Sequence, residues 1–391
     1  MFRMAVGHSD DVDVEVALEA VFAACDAALR GATPKAGLLF SAWDQDHERL
    51  VEAVRARYPG IELAGSTTAG EMSSVMGFQE DSIELALFAS DVVEITAGLG
   101  RNLRADPQAA ADEAVGQARS KTTLGPTLCL VLPRVGLLDI NVVLAAVRQA
   151  LGPGIPILGG GGAPEDAFGA AQGQLSRQFL GDAVAEDALA ILLFSGPLAF
   201  SFGVDTGWHS VGPRGMVTSA TPEAVQEIDG SPAIDFYERY LGLREPATAN
   251  PLAVYEPGSE RFYLRTPTGH DRENGSVTFF GGIPTGSTVQ LTVAGIDDIF
   301  VGTGDAISEA MAAFPDGAQP EAALLFSCAV RKFVLGTRAS HEIEMAREML
   351  GADMPVAGFY CLGEIAPMSS ADLSRFHNET MVAVLLGSNP A

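Results

Sequence analysis

One short pattern, a glycine with a glutamate six positions on, set between two apolar runs of strand type, recurs three times along this chain. The copies are Gly65-Ser66-Thr67-Thr68-Ala69-Gly70-Glu71, Gly159-Gly160-Gly161-Gly162-Ala163-Pro164-Glu165 and Gly358-Phe359-Tyr360-Cys361-Leu362-Gly363-Glu364. An apolar run of buried-strand type precedes each copy, at 37–41, 127–132 and 323–327, and another follows each, at 83–88, 188–194 and 381–386. Self-similarity in the order of parts points to duplicated strand–helix–loop–strand units. Glycine permits close approaches that a Cβ would block, so each loop is suited to presenting a few polar atoms at a strand end.

These units imply an α+β fold of mixed sheets with flanking helices. Asp10 to Asp13, Asp44, Asp106-Pro107, Asp139 and Asp305 read as helix starts, and Ser90-Asp91 and Gly196-Pro197 read as the turns of hairpins. A stretch rich in turn formers, 206–213, divides the chain into an expected domain at 1–208 and another at 209–391. Strands dominate between 252 and 293.

A formal net charge of −26 argues against nucleic acid and anionic membranes as partners, since both require basic patches. The four cysteines (Cys25, Cys129, Cys328, Cys361) lie far apart without a CxxC pair, as expected of reduced thiols. No apolar run reaches membrane-spanning length, and the acidic N-terminus is unlike a signal peptide; the expected location is cytoplasmic.

Several segments together resemble FIST-domain proteins: 227–237, 325–331, 358–367 and His377-Asn378-Glu379-Thr380 for the C-terminal half, and 65–71 for the N-terminal half. Val330 stands where that pattern has a small residue. The resemblance implies a sensor of small ligands, with amino acids proposed, acting on a signalling partner such as a histidine kinase. Some stand-alone members of similar layout are described as haem proteins that sense nitric oxide. Haem is therefore an expected cofactor candidate, and a non-catalytic role is expected.

Ser327, Cys328, Arg331, Tyr360 and Glu364 are the first ligand-binding candidates. The planar guanidinium of Arg331 matches a carboxylate and Glu364 can accept an ammonium, so the pair suits an amino acid. The same two residues could equally form an ion pair that ties two loops together. Thr67 and Glu71 are the corresponding candidates in the first half, where a plain tight turn is the alternative. Among six histidines, His209 is the expected axial ligand if haem binds, because Trp208 and the surrounding turn formers suggest an apolar mouth between domains. A thiol-dependent amidase is the enzymatic alternative, with Cys328 or Cys361 as nucleophile, a histidine base and Glu364 orienting it.

Overall fold

A computed structural model describes residues 2–136, 138–164, 175–242 and 245–389. Glu165, the glutamate of the second copy, lies outside these residues. The architecture is α+β, with mixed sheets flanked by helices.

Three αβ units share one plan. In the first, an edge strand (Phe2–Ser9) leads through helix Val14–Leu29 into a central strand (Ala36–Ser41). Helix His47–Arg57 then returns the chain to a strand parallel to it (Glu62–Thr67), and Ile83–Ser90 closes the unit antiparallel between edge and centre. The second unit repeats this with Glu94–Arg101, Pro107–Arg119, Pro126–Pro133, Ile140–Leu151, Ile157–Gly160 and Ala188–Ser195. The third does so with Leu198–Asp205, Ile296–Ala312, Ala322–Cys328, Ser340–Leu350, Val356–Cys361 and Met381–Ser388.

The supposed hairpins at Ser90-Asp91 and Gly196-Pro197 are instead passages between units. Ile83–Ser90 pairs inside the first sheet while Glu94–Arg101 pairs with Ala188–Ser195 in the second. Likewise Leu198–Asp205 joins Met381–Ser388 in the third sheet. Two apolar runs across a short turn look like a hairpin in sequence; here each finds its partner in its own duplicated unit. Two helix starts also move: Asp46, not Asp44, caps the second helix, and Asp305 lies inside Ile296–Ala312.

Both faces of the central strands are covered, which is why they read as unbroken apolar runs. The inner faces of the three sheets meet in one core containing Phe40, Phe88, Leu130, Phe194, Phe326 and Phe359. Phe40 of the first unit meets Phe359 of the third at 4.5 Å between ring centroids. Helices cover the outer faces, each layer with its own apolar cluster.

The repeated glycine has a packing cause. Gly65, Gly159 and Gly358 lie opposite Leu39, Val131 and Leu325 on the central strands. A Cβ on any of them would stand 2.1 Å from that residue's carbonyl oxygen. No side chain fits there.

The segment after each parallel strand leaves its own sheet. The hairpin of Glu71–Ser73 and Gly77–Gln79 adds to Val356–Cys361 of the third unit. That of Gln178–Leu180 and Ala183–Ala185 adds to the first unit, and Glu364–Ala366 with Arg375–Phe376 adds to the second. The exchange is cyclic and locks the units together.

Between the third unit's edge strand and its helix, residues 206–295 form an inserted antiparallel sheet with helix Ala233–Leu241 and a separate core around Val217, Tyr237, Leu252 and Val289. It docks on the ring of three interlocked units through Thr266, whose N–H donates to Asn378 Oδ1 at 3.1 Å and whose hydroxyl donates to Glu379 at 2.7 Å.

Candidate functional site

The cyclic exchange fixes where the repeated polar residues go. Glu71 pairs with Phe359, Gln178 with Ser66 and Glu364 with Gly160, so each faces the residue just after a repeat glycine. In the second unit this register position is therefore held by Gln178. An insertion between Pro164 and the strand hid this residue from the fixed six-residue spacing.

Glu364 is fully buried. Its carboxylate accepts from Thr380 N at 3.0 Å, Thr380 Oγ1 at 2.6 Å and Cys361 Sγ at 3.3 Å. Burial outweighs these donors and pushes its pKa up to about 7. Next to Thr380, Glu379 sits in left-handed backbone (φ 57°), buried, with Thr266 on one carboxylate oxygen and no hydrogen-bond partner for the other. Burial and the nearby Glu364 raise its pKa well above the usual range.

Arg331 does not pair with Glu364. It is fully buried in the short helix Ala329–Leu335, and its partner is Glu342 on helix Ser340–Leu350. Nη2 donates to Glu342 Oε1 at 2.6 Å, to Thr303 Oγ1 at 2.6 Å and to the Ile299 carbonyl at 3.0 Å; Nη1 donates to the Thr206 carbonyl at 2.6 Å. Ser327 and Tyr360 complete the cluster, donating to Glu342 Oε2 at 3.0 and 2.6 Å. Burial opposes charge on Glu342, but Arg331 and these hydrogen bonds hold its pKa below the ordinary value. The expected carboxylate fork is thus turned inward, onto the protein's own glutamate.

Glu342 escaped sequence reading, although a signal existed. It shares the buried face of its helix with Ile343 and Ala346, where an acidic residue needs a partner.

Thr67 and Glu71 do not converge. Thr67 Oγ1 donates to the Ala163 carbonyl at 2.6 Å and accepts from Arg177 N at 3.0 Å. The hydroxyls on Glu71 come from Thr68 and Ser82. Burial raises the Glu71 pKa to about 7. Beside it Glu84, also buried, is raised well above the usual range by burial and by Glu71, and one of its oxygens has no hydrogen-bond partner. His8 closes this cluster, 2.7 Å from Ser73 Oγ and 2.8 Å from Ser82 Oγ.

His209 is not at an apolar mouth. Its side chain is 64% exposed and lies 3.4 Å from Asp298, whereas the neighbouring Trp208 is buried. Successive residues of an extended segment point to opposite faces, so burying the indole turns the imidazole outward. The residue does not fit an axial haem ligand. The other buried histidines are engaged by protein groups: His47 by the Ala42 carbonyl and Arg177, His377 by the Ala366 carbonyl. Among the described residues, no three His, Cys, Asp or Glu side chains are grouped to hold a metal ion. Cys328 and Cys361 are buried, and burial together with Glu364 raises both thiols well above their usual pKa, the reverse of an activated nucleophile.

A cleft of about 280 Å³ opens beside the third-unit cluster, between the inserted sheet and the ring. Asp205, Thr206, Arg261, Tyr263, His377 and Thr380 are among its lining residues. Thr380 bonds Glu364 behind it, while Thr206 donates its hydroxyl to the Glu379 carbonyl and accepts from Arg331 through its own carbonyl. The cleft is therefore one hydrogen bond away from the Glu364 carboxylate, the Glu379 backbone and the Arg331 guanidinium.

Among curated proteins, an uncharacterized protein of Mycobacterium bovis is 34% identical over 184 residues, covering 42% of this chain and 45% of that one. An uncharacterized protein of Mycobacterium tuberculosis is 27% identical over 180 residues, covering 42% and 46%. The aligned region spans about half the length of these relatives. Cyanuric acid hydrolase from A. caulinodans aligns over 100% of both chains at 10% identity with a TM-score of 0.34. PurLQS from Thermotoga maritima aligns over 99% of this chain and 72% of that one, at 12% identity and a TM-score of 0.25. At such scores neither likeness bears on activity. The FIST N domain matches residues 35–231 and the FIST C domain residues 233–367, and FIST domains are associated with small-ligand sensing in signalling proteins. With both domains matched in tandem over most of its length, the chain belongs to the FIST family.

Proposed function

We propose that the protein senses a free amino acid in the cleft between the inserted sheet and the third unit, and that occupancy is read by a separate signalling protein such as a histidine kinase. In this reading the chain is a sensor, not an enzyme. One observation carries it. The lining residues Thr206 and Thr380 are hydrogen-bonded directly to the buried group of Arg331, Glu364 and Glu379, so a ligand on the cleft wall competes with bonds that hold the insert to the ring.

The cleft suits a small zwitterion. Its volume lies near the lower end of small-molecule sites. Its rim carries Asp205 and Glu260 against Arg261, which itself bonds Asp372 at 2.8 Å. Haem-dependent sensing of nitric oxide is disfavoured because the imidazole chosen for iron, His209, is on the surface. The strong negative charge favours a basic surface on the partner.

The test is a thermal-shift screen with the twenty common amino acids offered singly, followed by calorimetry on any that stabilise the protein. At least one should bind the parent and lose tenfold or more affinity to Thr380→Val. If none binds, the amino-acid reading is wrong. Full affinity in Thr380→Val places the ligand elsewhere.

A further inference from the structure

A second cavity, of about 550 Å³, lies where the inserted sheet meets the second unit, and it shares Tyr263 with the cleft. Its walls include Asp139, Asn141, Tyr263, Arg265 and Arg375. Arg265 is only 2% exposed, and no carboxylate among the described residues forms an ion pair with it. Nε donates to the Gly282 carbonyl at 3.3 Å, and Nη1 to the Leu264 and Phe376 carbonyls at 2.9 and 3.1 Å. Nη2 has no acceptor among the described residues.

Arg375 also approaches the Tyr263 ring. The guanidinium carbons of Arg265 and Arg375 lie 4.4 and 4.8 Å from the centroid of that ring. Arg375 meets Glu256 through Nη2, but its Nε is buried and has no hydrogen-bond partner. The acidic group in the wall, Asp139, forms no ion pair with Arg265 but lies near enough to favour its charge; its Oδ1 caps the helix Ile140–Leu151, accepting from Asn141 N at 2.9 Å and Nδ2 at 3.0 Å.

A guanidinium buried without a directly paired carboxylate is costly, and an unmatched N–H donor beside it adds to the cost. Proteins meet that cost with an anion, and a planar fork held by ring stacking is the usual receptor for a carboxylate or phosphate. We propose that this cavity binds a small organic anion through its oxyanion group, received by Arg265 Nη2, with the Arg375 guanidinium in the same wall adding positive charge. The volume leaves room for a body of several carbon atoms behind the charged group. The inference does not depend on the amino-acid cleft.

The probes are sodium succinate and sodium phosphate, each compared with sodium chloride at equal ionic strength by thermal shift and calorimetry on the full chain. At least one should raise the melting temperature beyond chloride and bind with one-to-one stoichiometry. Succinate alone identifies a carboxylate site, and phosphate alone a phosphoryl site. Affinity should fall tenfold or more in Arg265→Gln and by a smaller factor in Arg375→Gln; the latter, at a partly exposed residue, serves if the former does not fold. The proposal is overturned if neither anion differs from chloride, or if Arg375→Gln binds as tightly as the parent.

Discussion

Glu71 and Glu364 occupy the same register position in two duplicated units, yet their surroundings have diverged. Each is fully buried, accepts from the side chain three residues before it (Thr68 or Cys361) and from the residue just before the return strand (Ser82 or Thr380), and has its pKa raised to about 7. Around Glu71 the neighbours are another carboxylate, Glu84, and a neutral His8 whose pKa burial lowers to about 4. Around Glu364 there are a guanidinium, a strained Glu379 and a cleft. The second unit supplies the control: Gln178, an amide, fills the same position. Duplication thus preserved a buried hydrogen-bonding group at each unit boundary, while the third unit connected it to the surface.

The largest effect should come from the guanidinium that sets the third unit apart. Arg331→Met leaves Glu342 buried without its counter-ion and should destabilise by roughly 3–5 kcal/mol in denaturant unfolding. A loss below about 1 kcal/mol would show that the pair is not the keystone of this unit.

The two glutamates should next reveal themselves through pH. Their native pKa lies above the unfolded value, so the native state keeps a proton that the unfolded chain releases between about 4.5 and 7. Their contribution to stability is therefore present below that window and lost as pH rises through it, by about 3 kcal/mol for each group. His8 and His377, lowered to about 4 and about 3, impose the opposite slope in part of the range, so the informative quantity is the parent-minus-variant difference. Glu71→Gln and Glu364→Gln should each gain on the parent as pH rises from 5 to 8. A pH-independent difference would mean that neither carboxylate holds its proton.

The repeat glycines test whether the units are mechanically equivalent. Gly65→Ala and Gly358→Ala meet the same 2.1 Å obstruction and should lose stability by similar amounts, about 1–3 kcal/mol or more. A large disparity would show that one unit yields more easily than the other. The smallest effect concerns the thiols. Cys328 and Cys361 should resist a neutral-pH alkylating reagent in the native protein and react only on unfolding; rapid stoichiometric labelling of either would revive the amidase alternative.

Much of this was legible in the sequence, because strands covered on both faces must be apolar and glycine must stand where two backbones touch. The central strands and the Gly65, Gly159 and Gly358 positions followed from that. Partners were less legible, since pairing across a cyclic exchange leaves no trace in local spacing. Glu364 belongs to the third unit in sequence but to the second unit's sheet in space. Arg331 found Glu342, eleven residues on, through a helix packing that periodicity does not specify. His209 was misplaced because a turn-rich junction says nothing about which of two adjacent side chains points inward.

In the proposed sensing reading, the third unit's buried group responds to the cleft while its first-unit counterpart does not. Thr380→Val and Ser82→Ala remove the equivalent hydroxyls from Glu364 and Glu71, and both can be titrated calorimetrically with whichever amino acid stabilises the parent. Folded Thr380→Val should lose at least tenfold in affinity, and folded Ser82→Ala should bind like the parent. Parent-like affinity in Thr380→Val, or an equal loss in both variants, would contradict that reading.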